Sequence, residues 1–218
     1  MSEPITARQF REAEGVEDWR VAGDGACTFI RTGSFAAGAR LVAGISELTR
    51  LQDHRPDGDL RHASVAVRLI TITEDSFGLS EHDLELARQI SAIAREQGVP
   101  ADPSAVQSVQ VSIDALVVSE VMPFWHAVLG NRDREPEDLI DPRGRGPSIW
   151  FQQMDAPRPQ RNRIHIDVWV PHDQAQARIA AAIAAGGHPV TDQHAPAWWV
   201  LTAAEGNEAC LATTMSPD

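Results

Sequence analysis

Residues 97–107 read QGVPADPSAVQ, and the division of the chain turns on this stretch. Gly98 ends a helical pattern, and Pro100 and Pro103 forbid its continuation, because proline lacks an amide hydrogen and clashes with the preceding turn. The chain is therefore expected to form one domain over 1–98, a linker over 99–106 and a second domain over 107–218. Charge does not tell the halves apart. Eleven arginines face 17 acids before the break and 8 face 14 after it, so each half carries −6.

The composition is that of a globular protein, with 43% hydrophobic and 23% charged residues in 218. All 19 basic residues are arginine, and 31 acids bring the net charge to −12. That excess argues against a nucleic-acid surface, which needs clustered cations to displace phosphate counterions. No apolar run approaches the roughly 20 residues that span a bilayer, so no membrane is expected as a partner. The N-terminal MSEPITARQFREAEG has no apolar signal core. Cys27 and Cys210 make neither a CxxC pair nor a disulfide framework, which points to a reducing cytoplasm.

Before the break, residues 6–14 read as a helix. WRVAG (19–23) and ACTFIRTG (26–33) read as a hairpin around Asp24-Gly25. Ser34 can cap a helix to about 51, with Phe35, Leu41, Val42, Ile45 and Leu48 on its apolar side. In HASVAVRLITIT (62–73), Val65, Val67 and Leu69 alternate with Ala66, Arg68 and Ile70, as in a strand. Ser80 opens a helix to about 97. After the break, VQSVQVSID (106–114) is a strand and Ser119 starts a helix to Leu129. Three more strands follow at 138–141, 148–154 and 163–170. A helix over 172–187 leads to closing strands in HPVTD, AWWVLTA and EACLAT. The second half thus reads βαβββ twice, and the fold class is α+β.

The first half resembles the pterin-4a-carbinolamine dehydratase family over about residues 5–97. The carriers are Trp19, Ser34-Phe35, His54-Arg55-Pro56, RHASVAVRLITIT and GLSEHDLELA (78–87). The resemblance implies helices over a four-stranded antiparallel sheet, and a lyase that dehydrates a 4a-hydroxytetrahydropterin. Imidazoles suit the required proton transfers near neutral pH. The family's motif is His-His-Pro, an aromatic about six residues on, and a third His ten after that. His54 matches the first His, whereas Arg55, His62 and Ile72 stand at the second His, the aromatic and the third His. Asp83 matches the closing Asp. The implied catalytic set is therefore His54, with His62 assisting, and Asp83. The resemblance further implies self-association as a homodimer or larger homo-oligomer.

The second half resembles the vicinal oxygen chelate superfamily, in its glyoxalase-like branch, over about 107–214. SID (112–114), FWHAVLG (124–130), DPRGRGPSIWFQQM (141–154), NRIHIDVWV (162–170) and EGNEACL (205–211) carry it. It implies two βαβββ modules in one sheet around a cleft. The four positions that hold a metal in dependent members fall on Gln110, Gln152, His165 and Cys210, with Glu208 on the same face as Cys210 by alternation. Such a set is poor in carboxylates, so no metal is firmly implied and the protein is expected largely metal-free. A divalent ion in this cleft, zinc above all, remains an alternative through His165, Cys210 and Glu208. The expected partner is a small molecule, a pterin or other planar heterocycle, with Trp150 as one wall. Three functions stay open: a small-molecule enzyme, a ligand-binding protein without turnover whose first half serves self-association, and a metal-dependent glyoxalase- or dioxygenase-type enzyme.

Overall fold

The computed structural model describes residues 3–50, 56–72, 77–119, 122, 131–156, 164–184, 187–202 and 208–215. It divides into two compact units, Met1–Val106 and Gln107–Asp218.

The first unit opens with β1 (Pro4–Ile5) and α1 (Ala7–Glu12). Thr6 caps α1, its hydroxyl accepting from Gln9 N at 3.1 Å while the Gln9 side chain accepts from Thr6 N. The hairpin forms with β2 (Arg20–Ala22) and β3 (Gly25–Arg31) paired from Arg20↔Cys27 to Ala22↔Gly25, so its turn is Gly23-Asp24, one residue before the expected Asp24-Gly25, with Gly23 at φ 64. α2 (Phe35–Arg50), β4 (Asp57–Leu60), β5 (Ser64–Leu69), β6 (Thr71–Ile72), β7 (Phe77–Ser80) and α3 (Glu81–Glu96) follow. The main sheet runs β2-β3-β5-β4, all antiparallel, and a small sheet runs β1-β7-β6. Val65, Val67 and Leu69 of β5 are buried, as their alternation predicts. They join Ala26, Ile30, Leu41, Ile45, Leu86 and Ile90 in one core. Phe35 and Val42 do not join it: they are exposed, because the inward face of α2 runs through Ala37, Leu41 and Ile45.

Residues 99–106, expected as a linker, pack on the first unit. β2 pairs only with residues 25–27 of β3. Beyond it, Arg31 N donates to Pro100 O at 2.9 Å and Asp102 N donates to Phe29 O at 2.7 Å. Ile30 and Ala101 form an antiparallel bridge, and Val106 is buried. The segment completes the edge of β3, whose amides and carbonyls would otherwise lack partners.

The second unit holds one eight-stranded sheet. Its elements are β8 (Ser108–Ala115), β9 (Arg132–Glu135), β10 (Asp138–Ile140), β11 (Ser148–Gln153), β12 (Ile164–Trp169), α4 (Ala175–Ala184), β13 (His188–Thr191), β14 (Trp198–Thr202) and β15 (Glu208–Ala212). The order is β13-β14-β15-β12-β8-β11-β10-β9. β8 and β12 meet antiparallel at the centre, and each pairs in parallel with the last strand of its own module, β11 and β15. Its strands are arranged as in the doubled βαβββ read from the sequence. The helix expected over 119–129 falls mostly outside the described residues. One face is apolar: Ile113, Leu139, Ile149, Phe151 and Met122 form one cluster. Val170, Leu201, Leu211 and Trp199 form another with Ile179 and Ala182 of α4. Among the described residues no helix is long and apolar enough to cross a membrane.

Candidate functional site on the second sheet

Strand register determines which side chains share the face opposite that apolar one. Directly paired residues project to the same side, and successive residues alternate. Gln110 of β8 pairs with Asp167 of β12, which pairs with Cys210 of β15. Gln110 also pairs with Ser148 of β11. One row therefore carries Ser148, Gln110, Asp167 and Cys210. In the next row Trp150 pairs with Ser112 and Ser112 with His165. One step on, Gln152 pairs with Asp114. Glu208 lies two residues before Cys210 and so on the same face. All six ligand-binding residues predicted for this half, Gln110, Trp150, Gln152, His165, Glu208 and Cys210, are thus on one polar face.

Two carboxylates that the family positions do not include sit at its centre. His165 Nε2 lies 3.4 Å from Asp167 Oδ1, and His165 Nδ1 lies 3.8 Å from Asp114 Oδ1. Asp167 Oδ2 accepts the Ser112 hydroxyl at 2.8 Å. Its Oδ1 is buried and meets no hydrogen-bond donor among the described residues. His165, Asp167 and Cys210 each offer a ligand atom within 4.8 Å of the other two. The carboxylate-poor floor expected from the family positions is corrected by this geometry. The period-2 signal was present in IHIDVW, since Asp167 follows His165 by two residues and must share its face. Asp114 could be found in the same way from Ser112 in SID.

Burial pushes the Cys210 thiol up to about 12. The negative charge of Asp167, a hydrogen bond to it, and the charges of Glu208 and Asp114 act in the same direction. The protein alone therefore keeps this sulfur as S–H at neutral pH. A cation at the centre would reverse that balance, because a bound metal stabilises the thiolate. The donor set fits such an ion. It offers imidazole nitrogen, carboxylate oxygen and sulfur on two adjacent strands, with one oxygen that meets no hydrogen-bond donor among the described residues.

Flanking groups are aromatic and charged. Trp150 pairs across strands with Asp138, whose carboxylate is held by Arg134 at 2.6 Å with both side chains largely buried. Trp169 and Trp198 both pair with Ala212, and Trp198 stacks on His194 with ring centroids 4.3 Å apart. Trp199 projects the other way into the apolar core.

In the first unit His62 and Asp83, two of the residues implied as catalytic, are not drawn together. His54 lies outside the described residues. His62 is exposed just before β5, at the end where Ser64 pairs with Arg31. Asp83 belongs to the other end of β5: it accepts the Thr71 hydroxyl at 2.7 Å, and Thr71 follows β5 by two residues. A six-residue strand, about 20 Å long, separates those ends. Asp57 pairs with Arg68, so β4 starts at the Asp83 end. Asp83 is fully buried, and its Oδ2 also accepts from Ser80 N and the Ser80 hydroxyl. Its structural task is the capping box of α3.

Comparison with known proteins assigns the same two regions. Residues 3–93 match the model of the family described as pterin 4 alpha carbinolamine dehydratase, and residues 110–212 match that of a glyoxalase-like domain. A Nocardia farcinica protein that carries the pterin-4-alpha-carbinolamine dehydratase name is 34% identical over 82 residues, which cover 38% of this chain and 84% of the relative. A solved structure described as a transcriptional coactivator/pterin dehydratase from Brucella melitensis is 25% identical. It covers 42% of this chain and 99% of its own, with a TM-score of 0.38. A glyoxalase/bleomycin resistance protein/dioxygenase superfamily member from Vibrio splendidus is 12% identical and covers 50% and 99%, with a TM-score of 0.34.

Proposed function

The chain belongs to the pterin 4 alpha carbinolamine dehydratase family through its first unit, and from that premise we propose that it is a small-molecule enzyme, nominally a lyase, with a glyoxalase-like ligand site in its second unit. The observation that carries the second half of this reading is the convergence of His165, Asp114, Asp167 and Ser112 on one sheet face beside Trp150. A planar heterocycle such as a pterin suits that face. An indole can stack on its ring, while an imidazole and carboxylates take up its ring nitrogens and amino groups.

Dehydration of a 4a-hydroxytetrahydropterin removes the proton of the ring nitrogen and the hydroxyl of the adjacent carbon. The electron pair left on nitrogen becomes the second bond of C=N, and the hydroxyl departs as water once protonated. His54 is the group of the family motif that this chain retains for those proton transfers, and removing one general acid–base group costs about 10²–10⁴-fold in rate. Turnover of 4a-hydroxytetrahydropterin is expected to fall by that range in His54→Ala. Quenching of tryptophan fluorescence by a pterin is expected to disappear in Trp150→Ala. No turnover together with no quenching by any pterin overturns the proposal. Intact turnover in His54→Ala overturns the role of His54. Self-association as a homodimer or larger oligomer belongs to the same proposal, and sedimentation velocity tests it.

A second reading is a metal-dependent glyoxalase-type enzyme, favoured by the His165, Asp167 and Cys210 group. A divalent ion held there would act as a Lewis acid toward a substrate oxygen or lower the pKa of a bound water. In that reading Ser112 fixes one oxygen of Asp167, Asp114 stands behind His165, and Trp150 bounds the ligand.

A further inference from the structure

We propose that Trp169 and Trp198 form an aromatic clamp, on the polar face of the second sheet, for a compact organic cation of the quaternary ammonium class. The clamp stands apart from both the Trp150 wall and the His165 group, although it rests on reading the same face as a ligand site.

Strand register builds it. Trp169 of β12 and Trp198 of β14 both pair with Ala212 of β15, the strand that lies between them. Paired residues project to one side of a sheet, so two indoles flank a single methyl group. Neighbouring strands lie about 4.8 Å apart, which sets the two indole-bearing backbones about 9–10 Å apart. A group centred over Ala212 is then about 5 Å from each, inside the roughly 6 Å over which an aromatic face attracts a cation. A flat ring stacked between two indoles needs a gap of only about 7 Å, whereas a rounded trialkylammonium head fills the wider space. Trp198 is both fixed and open. His194 stacks on one of its faces with ring planes 19° from parallel, yet Trp198 keeps 40% of its surface exposed. Thr213 N donates to Ala197 O at 2.8 Å and the Thr213 hydroxyl to Pro196 O at 2.6 Å, which ties the loop carrying His194 to the end of β15.

Charge selects the occupant. Asp167 is two residues from Trp169 on the same strand and face, about 7 Å along it, and Glu208 lies on that face of β15. Asp167 Oδ1 is buried and meets no donor among the described residues, so its negative charge is left to act on whatever the clamp holds. The described residues of β8, β12, β14 and β15 include no arginine, and the chain has no lysine. Two aromatic faces beside an acidic row favour positive charge. A quaternary ammonium suits them because it has no N–H that burial would leave without an acceptor.

The full chain, kept in chelator so that no metal enters, is titrated with choline chloride. Binding is read by calorimetry and from the indole N–H signals in nuclear magnetic resonance spectra. No pterin is present, so the result stands or fails apart from pterin quenching through Trp150. Saturable binding of one choline per chain is expected. The uncharged isostere 3,3-dimethylbutan-1-ol should bind at least about 10-fold more weakly. Trp169→Ala and Trp198→Ala should each lower choline affinity about 3–30-fold, and Trp198→Phe should retain most of it. Ala212→Leu keeps both indoles but fills the space between them, and it should abolish binding with circular dichroism unchanged. Should that variant fail to fold, the two indole variants carry the test. Absence of saturable choline binding by the wild-type chain overturns the proposal. So does equal binding of the isostere, which would mark an apolar slot rather than a cation site, or unchanged affinity in Trp169→Ala and Trp198→Ala.

Discussion

Asp83 has no exposed surface, and three hydrogen bonds end on its Oδ2. Removing it leaves the buried Ser80 amide without its acceptor and the Thr71 and Ser80 hydroxyls with only each other, so Asp83→Ala is expected to lower unfolding stability by roughly 1–3 kcal/mol. Urea denaturation measures this, and an unchanged midpoint would show that the network contributes nothing to the fold. The residue matched to the family by spacing was legible; its role at the start of α3 was not, because the sequence does not show that Thr71 returns to meet it. At the second site the reverse holds. His165 and Cys210 were found through the family positions, while Asp114 and Asp167 were passed over although strand alternation places both on the same face. Cys27 carries the other of the two thiols. Burial, ahead of the neighbouring charges, pushes its thiol up to about 11. Since the thiolate is the reactive form, iodoacetamide at pH 7.5 should leave Cys27 unmodified in the native protein and label it after unfolding, as read by peptide mass spectrometry.

The elements most visible in the sequence are those whose pattern is long and whose boundaries carry chemistry. The hairpin turns at Gly23-Asp24, within one residue of the pair read from the sequence, α3 follows Ser80, and β5 alternates over six residues. β1, β4 and β7 have two to four residues, too few for a period to register, and they are held by pairing rather than by their own sequence. Phe35 and Val42 show the limit of periodicity on α2. An apolar residue near the edge of a helical stripe can project to solvent, and only the packing of Leu41 and Ile45 on β5 and α3 tells which do. The hairpin itself depends on close approach. A β-carbon on Gly25 would stand 2.5 Å from Leu69 O, a backbone atom that cannot turn aside. Gly25→Ala should therefore destabilise the first unit by about 1–3 kcal/mol, through displacement of β3 from β5. Thermal unfolding followed by circular dichroism reads the effect, and an unchanged transition would mean that the strands separate there at little cost.

For the whole molecule, the evenly divided charge hides unequal local roles. Asp102 is held below the ordinary carboxyl range by the Ser104 hydroxyl first and the Arg31 guanidinium next. Asp141 is held lower still by the backbone amide and side chain of Arg143. A carboxyl whose folded pKa is depressed gives its full stabilisation above its unfolded value, near 4, and loses it as pH falls through the folded value. Stability should therefore be level above about pH 5 and decline below 4. The boundary between the units gives a sharper test. Proline and glycine at 98–103 marked where the helix must stop, yet they did not show that the following residues return to β3. Arg31, Ile30 and Phe29 are met there by Pro100, Ala101 and Asp102, and Val99 and Ala101 pack against the first core. Burying one valine is worth about 1.5–3 kcal/mol, and the edge hydrogen bonds add about 0.5–1.5 kcal/mol each. A fragment of residues 1–98 should thus unfold at a clearly lower urea concentration than a fragment of residues 1–106, by at least about 2 kcal/mol at equal slope. Equal midpoints would assign residues 99–106 to a passive tether, and the edge of β3 would then have to find its partners elsewhere.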